Sequence, residues 1–209
     1  MVQWFRMKKN LTNVENVTDC GKQFYGAVGI WCGLTAETTV RNNLIFNLPY
    51  TGISIGWMWS PVPTPCRENF IDGNHIHHVM QTLSDGGGIY MLGLQPGSKI
   101  VNNHIHDVSL NVGRAESNGM FLDEGTTDVI VENNLIYSIA KSPLRFHKAT
   151  TNLVKDNFLF CGEDIPPIRY NNTDEEDIEK VKNRIFYETD PKYEKHLKRA
   201  VSAWKKKHR

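Results

Sequence analysis

The feature that most constrains this chain is a nine-residue segment that recurs along it without internal gaps. Each copy carries an Asn two positions before a central aliphatic residue. The five copies begin at positions 40, 71, 100, 131 and 154, so the intervals are 31, 29, 31 and 23 residues. A shorter motif follows each of the first four copies. It consists of Gly or Pro and then alternating residues, at 52–55, 88–91, 119–122 and 143–146. Such a period indicates an architecture of stacked, equivalent units.

The physics of this spacing favours parallel coils. Two short strands per repeat leave room for a third, and equivalent residues of neighbouring coils lie about 4.8 Å apart. The repeated Asn can then form a ladder in which each amide bonds the next. A leucine-rich repeat would need a Leu signature and helices, and a propeller would need four antiparallel strands per blade. We therefore predict an all-β right-handed parallel β-helix of about five to six coils, covering residues 1–169.

The two ends of the chain differ from its middle. From Tyr170 onward the aliphatic alternation stops, and Ile178, Val181 and Ile185 follow a roughly helical spacing. We predict that residues 170–209 form a charged extension of two amphipathic helices that caps the last coil, with its Lys and Arg residues on a solvated face. Because no capping helix precedes the first coil, we expect further coils upstream in a longer parent chain.

Composition excludes several classes of function. Lys and Arg total 24 against 23 Asp and Glu, which gives no general field for nucleic acid or an acidic membrane surface. No apolar run approaches the ~20 residues of a membrane span, and the first ten residues lack the apolar core of a secretory signal. The four cysteines form no C-x-x-C pair and have no His spacing of a zinc site, so we predict buried free thiols. We expect no cofactor.

Two loops of neighbouring coils are longer than the others and project side by side. They run from Val79 to Gly88 and from Val108 to Gly119, and each ends near a carboxylate, Asp85 in the first and Glu116 in the second. Alignment of the second strands places Tyr90 beside Phe121, Phe121 beside Arg145, and Asp123 beside His147; Trp57, Glu124 and Lys148 share a further row. Carboxylates, basic groups and aromatic rings together are typical of a sugar-binding groove.

A pair of carboxylates is the chemistry that glycoside hydrolysis requires. Asp85 and Asp123 lie about seven aligned positions apart, which exceeds 20 Å in an extended chain. They can meet only if the glycine turn at 86–88 folds Asp85 back over the strand. Two simpler interpretations stay open. Asp85 could be an Asx-turn residue, and the sole role of Asp123 could be an ion pair with His147 or Arg145.

Histidine and tryptophan also recur at equivalent positions. His75 stacks with His104, and His77 with His106, which indicates either a side-chain ladder or a metal or catalytic cluster. Trp57 and Trp59 precede a proline-rich loop and could either line a binding site or anchor that loop.

The motifs together resemble a known family. They are Leu-Pro-Tyr-Thr-Gly-Ile-Ser-Ile-Gly-Trp at 48–57, Asp-Gly-Gly-Gly-Ile-Tyr at 85–90, Asn-His-Ile-His-Asp at 103–107 and Phe-Leu-Asp-Glu-Gly at 121–125. Over about residues 28–162 the chain is similar to the C-terminal half of bacterial β-helix glycoside hydrolases of the family 141 type, which hold fucosidase and xylanase activities.

The resemblance implies a secreted enzyme, extracellular or periplasmic, that degrades an oligo- or polysaccharide without a cofactor. It makes Asp85 and Asp123 the catalytic candidates, with Glu124 as the alternative partner. We expect the substrate-binding residues to be Trp57, Tyr90, Glu116, Arg145, His147, His77 and His106. Two other classes stay open: a polysaccharide lyase or epimerase on the same scaffold, and a non-catalytic glycan-binding solenoid.

Overall fold

The computed structural model describes residues 10–12, 16–111, 113 and 115–208 of the chain. The strands in chain order are β1 (Asn10–Thr12), β2 (Asn16–Thr18), β3 (Ile30–Cys32), β4 (Thr39–Arg41), β5 (Leu44–Phe46), β6 (Ile53–Ile55), β7 (Phe70–Asp72), β8 (His75–Val79), β9 (Gly86–Leu94), β10 (Lys99–Val101), β11 (His104–Val108), β12 (Ser117–Thr127), β13 (Ile130–Glu132), β14 (Leu135–Ile139), β15 (Leu144–His147), β16 (Asn152–Lys155), β17 (Phe158–Cys161), β18 (Ile168–Asn171), β19 (Ile178–Val181) and β20 (Arg184–Tyr187). One α-helix follows, α1 (Tyr193–Lys207).

Every third strand belongs to the same parallel sheet. Sheet A runs β1-β4-β7-β10-β13-β16-β19, sheet B runs β2-β5-β8-β11-β14-β17-β20, and sheet C runs β3-β6-β9-β12-β15-β18. Each group of three successive strands is therefore one coil. The described part of the chain forms six coils, and β19 and β20 begin a seventh. This is the right-handed parallel β-helix that the repeat predicts.

The core is the interior of the solenoid, where aliphatic residues of equivalent positions stack. Ile45, Ile76, Ile105, Ile136 and Leu159 form one such row in sheet B, and each is fully buried. Rows from sheets A and C pack against it, including Ile71 and Ile89. Burial of each such side chain contributes about 1.5–3 kcal/mol. All five aliphatic residues that the repeat places in the core are there.

The repeated Asn forms the ladder that the spacing predicts. From one coil to the next, the side-chain oxygen of Asn134 accepts hydrogen bonds from both the backbone N–H and the side-chain amide of Asn103, at 2.9 and 3.0 Å. The Asn134 amide in turn donates to the carbonyl of Ile100 and to the side-chain oxygen of Asn157. The full ladder contains Asn43, Asn74, Asn103, Asn134, Asn157 and Asn183. It satisfies the polar groups that the turn between sheets A and B buries.

The turn before each ladder residue explains why so many Asn residues come in pairs. Asn42, Asn102 and Asn133 have φ of 54–56°, in the left-handed region that Asn tolerates better than most residues.

Sheet C restricts the sequence in a different way, because it requires glycine where adjacent coils approach closely. A Cβ at Gly52 would lie 2.6 Å from the carbonyl oxygen of Gly88, and one at Gly119 would lie 2.5 Å from that of Pro143. Only glycine allows the backbones of adjacent coils to approach this closely.

The C-terminal segment differs from our prediction, because the β-helix continues beyond residue 169. Residues 168–187 form β18, β19 and β20, with one short 3-10 helix (Glu175–Asp177) between β18 and β19, instead of the predicted amphipathic α-helix. The alternation fails because this coil ends the stack. Lys180 pairs with Val154 in register, so a charged residue replaces the expected inward aliphatic residue. Its ammonium donates to the hydroxyl of Tyr170 at 3.4 Å and lies over that ring. Ile178 of this coil is buried, while Ile185 and Tyr187 in β20 remain partly exposed at the end of the stack.

A single helix then turns back along the side of the solenoid instead of capping its end. Tyr193 packs on Phe160 of β17, and Trp204 packs on His104 of β11, two coils earlier. The indole N–H of Trp204 donates to the carbonyl of Asn102. Fifteen residues span about 22 Å, which matches four to five coils at about 4.8 Å each. Within the described residues, no helix is long and apolar enough to cross a membrane.

The cysteines are free, as the sequence predicts. Cys32, Cys66 and Cys161 are buried, and Cys20 is partly exposed. Burial raises the pKa of Cys32 to about 11 and that of Cys161 to about 12. Both therefore remain protonated and unreactive at neutral pH.

We predict that Asn134→Ala lowers the free energy of unfolding by about 3 kcal/mol or more, because it leaves buried donors and acceptors without partners at roughly 1–3 kcal/mol each. Urea unfolding followed by circular dichroism measures this. The control is Asn133→Gly, at the exposed neighbouring position, where a φ of 54° suits glycine. It should change stability by no more than about 0.5 kcal/mol. Equal effects of the two variants would show that the ladder does not carry this stability.

Candidate functional site

The outer face of sheet C carries one continuous row of polar and aromatic side chains. In register from coil to coil, the row contains Trp31, Ser54, Tyr90, Phe121, Arg145 and Arg169. The predicted neighbours Tyr90 and Phe121 pack edge to face, with ring centroids 5.3 Å apart. The guanidinium of Arg145 lies 4.5 Å from the centre of the Phe121 ring. The row therefore has its aromatic rings toward the first coils and its two guanidinium groups toward the last.

Asp123 is the most constrained carboxylate of the site. It is only 7% exposed and accepts three hydrogen bonds. The Tyr90 hydroxyl donates to Oδ2 at 2.6 Å, while His147 Nδ1, at 2.7 Å, and the backbone N–H of Glu124 both reach Oδ1. The predicted pairing of Asp123 with His147 is therefore present. Because these donors come from three different segments, the carboxylate has a single fixed orientation.

Asp85 reaches the same face from the loop before β9. It is exposed and has a φ of 70°, the sharp turn that the following glycines make possible. Its carbonyl accepts a hydrogen bond from the Tyr50 hydroxyl at 2.8 Å. Burial raises the pKa of Tyr50 and that of Tyr90, and the negative charges of Asp85 and Asp123 raise both further. The side chains of Asp85 and Asp123 therefore both lie near the hydroxyls of Tyr50 and Tyr90.

A cavity of about 490 Å³ opens beside these phenols. It is lined by Gly26, Ala27, Val28, Trp31, Tyr50, Thr51, Ser54, Gly56, Trp57, Trp59, Asp85, Tyr90 and Leu92. Three of its walls are indole rings, and Trp31, Trp57 and Trp59 are each about half exposed. Trp57 packs edge to face on the other two, so the rings form one connected aromatic wall. Exposed aromatic faces next to carboxylates are suited to a sugar ring with its hydroxyls.

The two long loops are joined to each other, which fixes Asp85. Its backbone N–H donates to the carbonyl of Glu116 at 2.6 Å, and the Asn111 amide donates to the carbonyl of Met80 at 2.9 Å. The Glu116 side chain is itself held by two cations. Arg145 forms an ion pair with it at 2.5 Å, at an angle outside hydrogen-bond geometry, and Arg169 donates to it at 2.7 Å. Glu116 and Arg145, which we expected to bind substrate, are therefore paired with each other.

Glu124 lies next to Asp123 but has a different environment. Both of its carboxylate oxygens accept from the Lys148 ammonium at 3.0 Å, and His147 Nδ1 is 3.9 Å away. One ligand atom from each of Asp123, Glu124 and His147 lies within 4.8 Å of the others. These three residues are therefore the ones at this face that could bind a metal ion.

The internal repeats of the sequence predicted most of the residues on this face but not all of them. Trp31, Tyr50 and Arg169 were not among the expected residues. Two of them carried a signal: the segment 29–32, Gly-Ile-Trp-Cys, repeats the pattern of 52–55, and 167–170, Pro-Ile-Arg-Tyr, repeats that of 143–146. Tyr50 carried none, because it lies in a loop whose position depends on the fold.

Two expected substrate-binding residues lie elsewhere. His77 and His106 belong to sheet B, on a different face from Asp123, because they follow the Asn ladder and not the second strand of each coil. They form a cluster with His75 and His104 under helix α1. His75 stacks on His104 with ring centroids 4.5 Å apart, and His77 stacks on His106 at 5.0 Å. The stacking that we predicted is correct.

The environment keeps these imidazoles neutral. Burial, supported by the neighbouring imidazoles and Lys205, lowers the pKa of His104 to about 2 and that of His75 to about 3. Burial likewise lowers the pKa of His77 to about 4, with contributions from His106 and His78. Four stacked rings without charge avoid the repulsion that protonation would create.

Comparisons with known proteins agree with this architecture. The model of the family described as "Right handed beta helix region" matches residues 28–164, which is more than half of the chain. No curated protein sequence matches the chain. A solved structure named "Glycoside hydrolase" is similar in fold, with a TM-score of 0.56 and 24% identity over 88% of this chain. The chain spans only 26% of that protein's length.

We predict that the free energy of unfolding decreases as pH falls from 6.5 to 5. The pKa values of His75 and His104 are lower in the folded state than the unfolded value of about 6.5, so the unfolded chain binds more protons in this window. Urea unfolding at several pH values gives the slope. His104→Gln should reduce that slope by up to about 1.4 kcal/mol per pH unit. An unchanged slope, whatever the stability at pH 8, would contradict the assignment.

Proposed function

We propose, from the premise that this chain belongs to the right-handed β-helix family, that it is carbohydrate-active and hydrolyses glycosidic bonds at the sheet C cavity. The observation that carries the proposal is the arrangement of Asp123. A carboxylate held by Tyr90 and His147 lies beside a cavity with Asp85 at its edge and indole rings on its wall. The similar fold of a protein named glycoside hydrolase supports the same reading.

The chemistry assigns different roles to the two carboxylates. Asp123 has a fixed orientation and serves as the nucleophile, or as the base that takes a proton from water. Asp85, at the exposed edge, donates a proton to the oxygen of the leaving sugar, so that the glycosidic C–O bond breaks as the new one forms. The cavity wall binds the sugar rings on their apolar faces, while Tyr90 maintains the position of Asp123.

The choice of Asp85 over Glu124 as the second carboxylate rests on contacts. Both oxygens of Glu124 already bind the Lys148 ammonium, while Asp85 lines the cavity.

The contacts of the basic residues likewise make a polysaccharide lyase or epimerase the second candidate function. Such an enzyme needs basic groups available to a uronate, but Arg145 is paired with Glu116 and Lys148 with Glu124.

We predict that Asp123→Asn and Asp85→Asn each lower glycan hydrolysis by about 10²–10⁴-fold without changing the thermal unfolding midpoint by more than a few degrees. Reducing-end release from a panel of fucosylated glycans, xylans and other polysaccharides measures activity. The control is Asp128→Asn, an exposed turn residue with a φ of 59° that Asn tolerates.

The outcomes separate the alternatives. Loss with Glu124→Gln but not with Asp85→Asn would transfer the acid role to Glu124. A product absorbing in the ultraviolet from an unsaturated sugar would indicate a lyase. Full activity in Asp123→Asn would contradict the proposed mechanism.

A non-catalytic glycan-binding role is favoured by the aromatic wall alone, and binding can be measured separately. We predict that Trp57→Ala weakens glycan binding by about tenfold, on the order of 1.4 kcal/mol, because it removes the central ring of the wall. Glycan-array screening followed by calorimetry measures the affinity. Phe24→Ala is the matched control, since Phe24 is 79% exposed but lies outside the cavity.

Binding that depends on Trp57 in a chain without turnover would identify a binding module. Equal effects of Trp57→Ala and Phe24→Ala would remove the cavity as the binding site.

A further inference from the structure

A second group of functional side chains lies on sheet B, under helix α1, and the proposed hydrolysis does not use it. His75, His104 and His106 each offer one ring nitrogen within 4.8 Å of those of the other two. The cluster belongs to β8 and β11, the strands of two neighbouring coils. The same register that stacks the core thus brings three imidazoles to one point.

The hydrogen bonds of His106 determine which of its nitrogens is available. Its Nδ1 lies 2.7 Å from Oδ2 of Asp107, and a carboxylate can only accept, so Nδ1 carries the proton. With its proton on Nδ1, the neutral imidazole has its lone pair on Nε2. It faces Nε2 of His75 at 2.8 Å, and His75 must therefore donate in that contact. A carboxylate that fixes the tautomer of a histidine is the usual second partner of a metal ligand.

His104 supplies an independent observation. It is only 1% exposed, and its Nδ1 has no hydrogen-bond partner among the described residues. A buried nitrogen without a partner is costly unless it has a further role. Its Nε2 lies 3.2 Å from the Tyr137 hydroxyl.

We propose that His75, His104 and His106 bind a divalent transition-metal ion of the zinc type, with Asp107 orienting His106. Neutral imidazole nitrogens are ligands that Zn²⁺ and its neighbours prefer. Ligands at about 2.0–2.1 Å in a tetrahedral site place their nitrogens roughly 3.3 Å apart. The contact between His75 and His106 opens by about 0.5 Å to reach this, and the His104 ring tilts out of its stack on His75. His75 also changes tautomer: the proton that Nε2 donates in the metal-free chain moves to Nδ1, which leaves the Nε2 lone pair for the ion.

Helix α1 shapes the site from above. The Trp204 ring lies 4.8 Å from His104 and 5.7 Å from His75, measured between centroids. An ion bound beneath it exchanges with solvent slowly and changes the environment of this indole. Trp204 is one of five tryptophans in the chain, so Trp204→Phe identifies its share of any fluorescence change.

The test uses the whole chain, treated with a chelator and then titrated with Zn²⁺ in a calorimeter, with metal content measured by mass spectrometry after dialysis. We expect one Zn²⁺ per chain and a rise in the thermal unfolding midpoint that the chelator reverses. His106→Gln should weaken binding by at least 30-fold. Asp107→Asn should weaken it by 10- to 100-fold. Because Asp107 has a φ of 52°, which Asn tolerates, this variant keeps the fold if His106→Gln does not.

Two controls keep the outcomes distinct. His196→Gln changes an imidazole of helix α1 that stacks on Phe186 outside the cluster, and it should leave Zn²⁺ binding unchanged. Asp123→Asn disrupts the other possible group, Asp123, Glu124 and His147, and should also leave binding unchanged. Absence of Zn²⁺ binding, equal loss with His196→Gln, or loss with Asp123→Asn while Asp107→Asn binds normally would each overturn the proposal.

Discussion

The structure depends on the hydrogen bonds between coils that the ladder from Asn43 to Asn183 makes. The amide of Asn134 bonds the coils on both sides of it, and Asn74 and Asn103 repeat the arrangement. These bonds hold equivalent positions in register at about 4.8 Å, and a slip of one residue would turn every aliphatic side chain outward. The rows of core residues and the outward rows therefore follow from a single constraint. Because every row has the same backbone geometry, the side chains in a row decide whether that face packs in the core or is available for binding.

This constraint also explains how far the sequence could be interpreted. Segments that kept the Asn and the central aliphatic residue, such as those around Ile76 and Ile136, were placed correctly together with their cross-coil neighbours. The final coil was not predicted, because Lys180 takes the position in register with the buried Val154 and lies exposed at the end of the stack. Its spacing then resembles a helix, although Asn183 still joins the ladder. Tyr50 and the folded-back position of Asp85 could not be predicted, since both depend on contacts between loops.

A stacked row places like side chains close together, and the two faces solve this problem differently. Two unit charges 5 Å apart interact by about 3 kcal/mol at an effective dielectric constant of 20. On sheet C opposite charges are paired: Glu116 contacts Arg145 and Arg169, and Glu124 contacts Lys148. On sheet B the like groups are imidazoles, and burial lowers their pKa values so that they remain neutral. The first arrangement leaves ionised groups beside a cavity, and the second leaves lone pairs beneath a helix.

The helix therefore has more than a packing role. It lies over two neighbouring rows in which four histidines from two coils stack in pairs, and its Trp204 ring packs on His75 and His104. An exposed row of imidazoles would gain protons in mild acid and repel itself. A covered row stays neutral and keeps its nitrogens available. Because helix α1 is anchored by the Trp204 hydrogen bond to Asn102, beside the ladder itself, its position is set by the same coils that carry the histidines. The stacking of these coils therefore positions both helix α1 and the four histidines beneath it, independently of the cavity on sheet C.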